Sequence, residues 1–193
     1  MINQRVFVSW LPVAIATTII LGTVYAVVQQ NYRQSANDPQ IQLVEDSAAA
    51  LSQGLPPEQL ASGASNVDIT KSLAAFVMIF DDKGKTLVSS AVLGSSSPTL
   101  PVGVLDSTRN LNVNKITWQI PSGQRFAAVI KHWNSTNGTS GFELVARSLR
   151  EIEEREFQLE MIIAAAWIVA MVATLIAEWL KFLYHKKYIL SHN

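Results

Sequence analysis

The sequence contains no cysteine, which excludes disulfide bonds, zinc–thiolate sites and thiol catalysis. It has no excess of either charge, since 15 Lys and Arg balance 15 Asp and Glu, and no basic stripe favours nucleic acid. It also lacks a Gly-x-Ser-x-Gly elbow or another nucleophile signature, and its central segment has one histidine, His132. A lone histidine is more often a turn residue than a metal ligand. We therefore expect no catalytic residues, no metal, no cofactor and no nucleic-acid partner.

Charge is also missing from two long segments near the ends of the chain. Residues 6–28 contain no charged side chain, and residues 161–180 contain only Glu178. Such a run is typical of a membrane-spanning helix, because a helix satisfies its own backbone hydrogen bonds within hydrocarbon. The sequence thus predicts a short N-terminus (1–5), a first span (6–28), an outer domain (29–160), a second span (161–180) and a short tail (181–193).

The charges that flank these runs predict the topology. Cations lie at the outer ends of both runs: Arg5, Lys181, Lys186 and Lys187. The positive-inside bias places both termini in the cytoplasm and the domain outside it, in a bacterial inner membrane. Another basic group argues for the opposite orientation: Arg147, Arg150 and Arg155. It weighs less, because a long loop translocates largely regardless of its charge.

The first run has an alternative interpretation as a signal peptide that is cleaved near Ala26. Its length favours an uncleaved anchor, since the apolar region of a signal peptide usually extends over about 15 residues at most. Cleavage would leave a single-pass protein with the same outer domain.

The outer domain changes its hydrophobic period along the chain. Asp38 and Pro39 predict a helix start, with Asp38 as the N-cap, and apolar residues recur at spacings of three and four as far as Leu55. Residues 65–72 favour a turn or short helix, and residues 102–106 a short helical turn. Five strands are predicted at 75–80, 87–91, 115–120, 125–131 and 141–147, with a tight turn at Gly84 between the first two. From residue 148 the pattern is helical. The fold class is α+β: an antiparallel sheet with flanking helices, between two membrane spans.

This order of elements resembles the extracytoplasmic PAS-like sensor domains of bacterial membrane receptors, the Cache or PDC family. The resemblance covers about residues 30–160 and rests on short phrases at residues 38–43, 76–85, 118–121, 125–129 and 146–151. It implies a five-stranded sheet and a sensing role. In that family the second span usually leads to a HAMP relay, a kinase, a methyl-accepting region or a cyclase, and residues 181–193 cannot hold any of these. The resemblance therefore implies the input half of a receptor.

A PAS-like domain normally holds its ligand between the sheet and the central loop, so residues 95–114 would form a lid. The resemblance then implies four polar or aromatic ligand contacts: Trp118, Arg125, Lys131 and Asp106. Arg125 and Lys131 share a strand face by period two, and Arg125 would pair with a ligand carboxylate. The alternative is that Trp118 belongs to the core and Arg125 is solvated.

Small residues recur every four positions in both apolar runs. The stripes are Ala14, Thr18, Gly22 and Ala26 in the first, and Ala166, Ala170 and Thr174 in the second. This spacing lets membrane helices approach closely, although small residues are common in spans in any case. The stripes predict helix packing, either as a homodimer or against a separate membrane partner. The sequence as a whole predicts a two-pass sensor that binds a small molecule or a periplasmic partner. The alternative is an accessory or assembly subunit of a membrane complex that senses nothing.

Overall fold

The computed structural model describes residues 4–62, 66–94 and 96–191, and the chain divides into two compact units. The first unit, Arg33–Glu153, holds every strand, and the second is formed by the two long helices outside that range. The helices are α1 (Gln4–Ser35), α2 (Asp38–Ser52), α3 (Pro57–Ser62), α4 (Val104–Leu111) and α5 (Arg150–Ser191). The strands are β1 (Val67–Asp68), β2 (Phe76–Asp81), β3 (Thr86–Ser89), β4 (Ala91–Val92), β5 (Val113–Gln119), β6 (Arg125–Asn134) and β7 (Ser140–Ser148).

Five strands form one antiparallel sheet in the order β3-β2-β7-β6-β5. This confirms the predicted antiparallel sheet and its flanking helices. The strand period of two sends alternate residues to opposite faces. The main core lies on one face, where Phe76, Met78 and Phe126 pack under the segments of β1, β4 and α4. On the other face α2 packs Val44 and Ala48 against the sheet. The layers are therefore α2, sheet, and a cover of short elements.

The β2–β3 turn has the structure that its sequence predicts. Asp81 Oδ1 accepts the backbone N–H groups of Lys83 at 2.9 Å and Lys85 at 2.8 Å. Gly84 has a φ of +82°, which favours glycine. The return strand is shorter than predicted, however. It ends at Ser89, and Ala91 begins β4, which pairs in parallel with β1 in a separate two-stranded sheet.

Three other local predictions need correction. Residues 65–72 contain β1 and then a turn, apart from residue 65, which lies outside the described residues. The N-cap of α2 is Asn37, one residue before the predicted Asp38. Pro57 begins the further helix α3, because proline suits the first turn of a helix. The predicted short turn at residues 102–106 is instead the eight-residue helix α4.

In the second unit, α1 and α5 are both long and apolar enough to cross a membrane. Their most apolar windows have mean hydropathies of 2.1 and 2.3 and hold at most two charged residues. Pro12 lies inside α1, which continues through it. Residues 1–3 of the predicted N-terminus and residues 192–193 of the predicted tail lie outside the described residues.

Candidate functional site

A cavity of about 390 Å³ lies on the main-core face of the sheet beside the β2–β3 turn. Phe80 and Phe142, which are paired across β2 and β7, line it from the sheet. Three other segments enclose it: the turn at residues 82–84, the segment 97–103, and α4. An apolar concavity with a few fixed polar groups is the usual form of a small-molecule site.

Local backbone chemistry builds two of these walls. A Cβ at Gly84 would lie 3.1 Å from Leu105 Cδ1, so the turn packs tightly onto α4. Gly103, with a φ of +83°, precedes the first residue of α4. Thr108 is fully buried and its hydroxyl donates to the Val104 carbonyl oxygen at 2.9 Å. Val104 and Leu105 pack against the main core, which fixes the helix beside the cavity.

Arg109 is the best-anchored charged side chain of the cavity. Its Nη2 donates to the Asp82 carbonyl oxygen at 2.6 Å, and its Nη1 donates to Asp106 Oδ1 at 3.1 Å. Its guanidinium carbon also lies 5.1 Å from the centre of the Phe142 ring, in a cation–π contact. The guanidinium therefore has a fixed position, with opposite charges beside it.

His132 extends this charged group along β6. Its Nε2 lies 3.3 Å from Asp82 Oδ1, and its ring contacts that of Phe142 at 4.9 Å. The hydrogen bond with His132 and the nearby Arg109 guanidinium hold the pKa of Asp82 below its usual range. The prediction that His132 is a turn residue is wrong, since β6 continues to Asn134. Its side chain links the sheet to the β2–β3 turn.

The four predicted ligand contacts do not lie together. Asp106 is the one that lines the cavity. Trp118 is buried in the main core, with its ring 6.3 Å from that of Phe76. Arg125 and Lys131 share a face, as expected, but it is the α2 face: Arg125 pairs with Glu153 at 3.0 Å, and Lys131 pairs with Glu45 of α2.

The cavity brings together other residues, chiefly Asp82, Arg109 and Phe142, which no sequence pattern marked as a site. The i,i+3 spacing of Asp106 and Arg109 is a usable signal once residues 104–111 are taken as a helix. Of the predicted lid, residues 97–103 and α4 border the cavity, whereas residue 95 lies outside the described residues.

Two hydrogen bonds join α1 to α5 through the predicted small-residue stripes. Trp10 Nε1 donates to Thr174 Oγ1, and Trp167 Nε1 donates to Thr18 Oγ1, both at 2.9 Å. Each threonine hydroxyl donates in turn to its own helix, Thr18 to the Ala14 carbonyl and Thr174 to the Ala170 carbonyl. Both indoles and both hydroxyls are thus satisfied within the helix pair.

The rest of the stripes is less engaged within the chain. Ala14 is buried, whereas a Cβ added at Gly22 would meet nothing within 4 Å. Ala26 and Ala166 also belong to the predicted stripes, and neither is buried. Part of the stripe that was predicted for a dimer or a partner therefore contacts the other helix of the same chain.

No family model and no curated protein matches the chain. Among solved structures, it is similar to the ligand-binding domain of the amino-acid chemoreceptor PctC from Pseudomonas aeruginosa PAO1, in complex with GABA. The identity is 15%, the match covers 70% of this chain and 62% of that one, and the TM-score is 0.48. It is also similar to a transcriptional regulator from Mycobacterium tuberculosis, with 13% identity, 42% and 31% coverage and a TM-score of 0.31. The chain thus spans less than two thirds of each structure.

Proposed function

We propose that this protein is a membrane-anchored sensor whose α+β unit binds a small molecule in the cavity beside α4. The unit is PAS-like and lies outside the cytoplasm, with both termini inside. It reports occupancy to a separate membrane partner, or to a second copy of itself.

The observation that carries the proposal is the cavity of about 390 Å³ with its fixed charged wall. A sensor needs a polar-lined pocket, whereas a purely structural module needs only a filled core. Here the main core is filled beneath Phe126 and Leu144, yet a space remains between Phe142 and the segment 97–103. Arg109 and Asp106 give that space both signs of charge. A polar molecule with complementary groups would find its partners already oriented.

Membrane anchoring is supported by α1 and α5. Both helices pass the length and hydropathy criteria for a span. Their Trp–Thr hydrogen bonds also leave no unpaired indole or hydroxyl at those four positions, which is what an apolar solvent demands. The topology follows from the flanking cations. Reporter fusions after residue 193 and near Gly138 should report opposite compartments, and a cytoplasmic signal at Gly138 would end the sensor proposal.

The second candidate is the accessory or assembly subunit, which would use the same unit without a ligand. Exposed apolar residues favour it, notably Val102 in the cavity wall and Leu111 at the end of α4. The two candidates differ in a thermal-shift screen of the full chain in detergent against amino acids, organic acids and amines. A ligand that binds only the folded state raises its melting temperature, while an accessory module shows no shift with any compound.

A cavity-filling variant locates the binding site. Thr86 is exposed on the edge strand β3 and lines the cavity, so Thr86→Trp should fill the space and abolish the shift. Thr117 is exposed on the other edge strand, β5, away from the cavity, so Thr117→Trp is the matched control and should keep the shift. An equal ligand shift in both variants would place the binding site elsewhere.

A further inference from the structure

The α2 face of the sheet contains a buried carboxyl group that makes no hydrogen bond with the described residues. Glu143, in the middle of β7, is 0% exposed. Neither of its carboxyl oxygens has a hydrogen-bond partner within residues 4–62, 66–94 and 96–191. Burying a carboxylate in this way disfavours the ionised form, and burial raises the pKa of Glu143 to about 7.

The groups around Glu143 do not neutralise it. Lys131 lies directly opposite on β6, but its ammonium pairs with Glu45 of α2. The Ser47 hydroxyl of α2 and the Lys131 ammonium both lower the pKa of the carboxyl, but the effect of burial is larger, and the Ser47 proton goes to the backbone oxygen of Leu43. On the other side β2 presents the apolar Ile79.

The same face contains no second buried acid among the described residues. The acids in the middle of α2, Glu45 and Asp46, are both exposed. The indole Nε1 of Trp133, also beneath α2, is buried without a partner and carries no charge that could change with pH. Glu143 is thus the group in this interface whose ionisation has the highest cost.

We propose that Glu143 is a protonation switch that sets how tightly α2 packs on the sheet. While the carboxyl is neutral, α2 covers it at little cost. When it ionises, the charge needs water, and water reaches it only if α2 moves away. Acid therefore closes the α2 interface, and neutral to alkaline pH loosens it.

The sign follows from proton binding. The closed form holds the Glu143 proton up to about pH 7, whereas a hydrated glutamate loses it near 4.5. Closure is thus fully favoured below about 4.5, weakens as the pH rises toward 7, and does not change further above that. One proton is involved, so the opening equilibrium should shift about tenfold per pH unit within this window.

The consequence concerns the chain next to α1. Only Ala36 and Asn37 separate the end of α1 from the start of α2. A change in how α2 is held would therefore act close to the first candidate span. If the unit lies outside the cytoplasm, as proposed above, its Glu143 meets the pH of the surroundings. The switch itself does not depend on the ligand cavity, which is on the opposite face of the sheet.

The test is amide hydrogen exchange of the full chain in detergent micelles at pH 5 and pH 7, corrected for the intrinsic exchange rate. Protection of the α2 amides should fall about 40-fold between these values in the wild-type protein, because both pH values lie near the ends of the window, where the slope is below its maximum. Glu143→Gln keeps the shape but removes the titration, so its α2 protection should change less than about threefold. Glu143→Met also removes the titrating group, and it introduces no buried polar atom. It replaces Glu143→Gln in the experiment if the glutamine variant folds poorly.

Asp46→Asn is the control, since it makes the same acid-to-amide change on an exposed residue of α2 and should keep the wild-type response. Infrared spectroscopy gives a second readout. At pH 6 the wild-type protein should show the band of a protonated buried carboxyl, and Glu143→Gln should lack it. The proposal is overturned if wild-type α2 protection is the same at both pH values, or if Glu143→Gln retains the response.

Discussion

Thr174→Val tests how the two long helices are held together. Valine has nearly the same shape as threonine, but it cannot accept the Trp10 indole proton, which Thr174 Oγ1 now accepts at 2.9 Å. Hydrogen bonds between membrane helices typically contribute about 0.6 kcal/mol, and at most about 1.7 kcal/mol. The variant also leaves the Trp10 N–H unpaired, so we expect a loss near the upper end, about 1 to 2 kcal/mol in the free energy of helix association.

Thr23→Val is the matched control on α1. The Thr23 hydroxyl is exposed and donates only to the Ile19 carbonyl of its own helix, at 2.8 Å. Its loss removes no contact with α5, so helix association should change by less than about 0.3 kcal/mol.

The measurement is equilibrium unfolding in mixed micelles of increasing SDS fraction, combined with exchange of the indole N–H protons. Thr174→Val should lower the SDS midpoint and speed exchange at Trp10, while Trp167, bonded to Thr18, should stay protected. If Thr174→Val and Thr23→Val have the same midpoint and the same indole exchange, the Trp–Thr bonds do not stabilise the pair.

Three more predictions concern the α+β unit. Gly141→Ala should cost more than about 3 kcal/mol in unfolding free energy by chemical denaturation, because its Cβ would lie 2.2 Å from the Phe80 carbonyl oxygen. Gly138→Ala should cost about 1 kcal/mol, because a Cβ there would meet nothing within 4 Å and only the φ of +83° opposes it. Asp81→Ala leaves two turn N–H groups without their acceptor and should lower the free energy of unfolding by about 1 to 2 kcal/mol. An unchanged free energy of unfolding would mean that the Asp81 hydrogen bonds do not stabilise the turn. Raising the pH from 4.5 to 7 should lower the free energy of unfolding of the wild type by up to about 3 kcal/mol relative to Glu143→Gln. This value follows because each unit of pKa difference between the folded and unfolded states corresponds to about 1.4 kcal/mol.

The five strands of the main sheet were predictable because each contains either alternating apolar and polar residues or a continuous apolar run, and the segments on both sides of it do not. β1 and β4 were not, since a two-residue strand has no period, and its pairing depends on residues more than twenty positions apart. The helix α4 was underestimated for a similar reason. Its polar residues, such as Asp106, Ser107 and Asn110, favour a loop, and the contacts of Val104 and Leu105 with the main core override that preference.

The site was harder to predict than the sheet. Period two correctly placed Arg125 and Lys131 on one face, but the pattern alone does not say which face a helix covers. Both faces of β6 are apolar in its centre, from Phe126 to Ile130, so neither was marked as the outside. Two of the predicted ligand contacts, Arg125 and Lys131, therefore lie on the face that α2 covers, where Lys131 already pairs with Glu45.

The register of β7 explains why the proposed ligand cavity and the proposed Glu143 switch both depend on one short stretch of this strand. Phe142 and Glu143 are neighbours, yet one lines the cavity and the other lies beneath α2, because successive strand residues point to opposite faces. A shift of one residue would put the carboxylate among Phe80 and the main core, and the phenyl ring under α2. Gly141 opposes such a shift, since the space beside the Phe80 carbonyl and the Trp133 ring admits no side chain. Gly141, which no sequence pattern marked as functional, therefore helps to keep Phe142 on the cavity face and Glu143 on the α2 face.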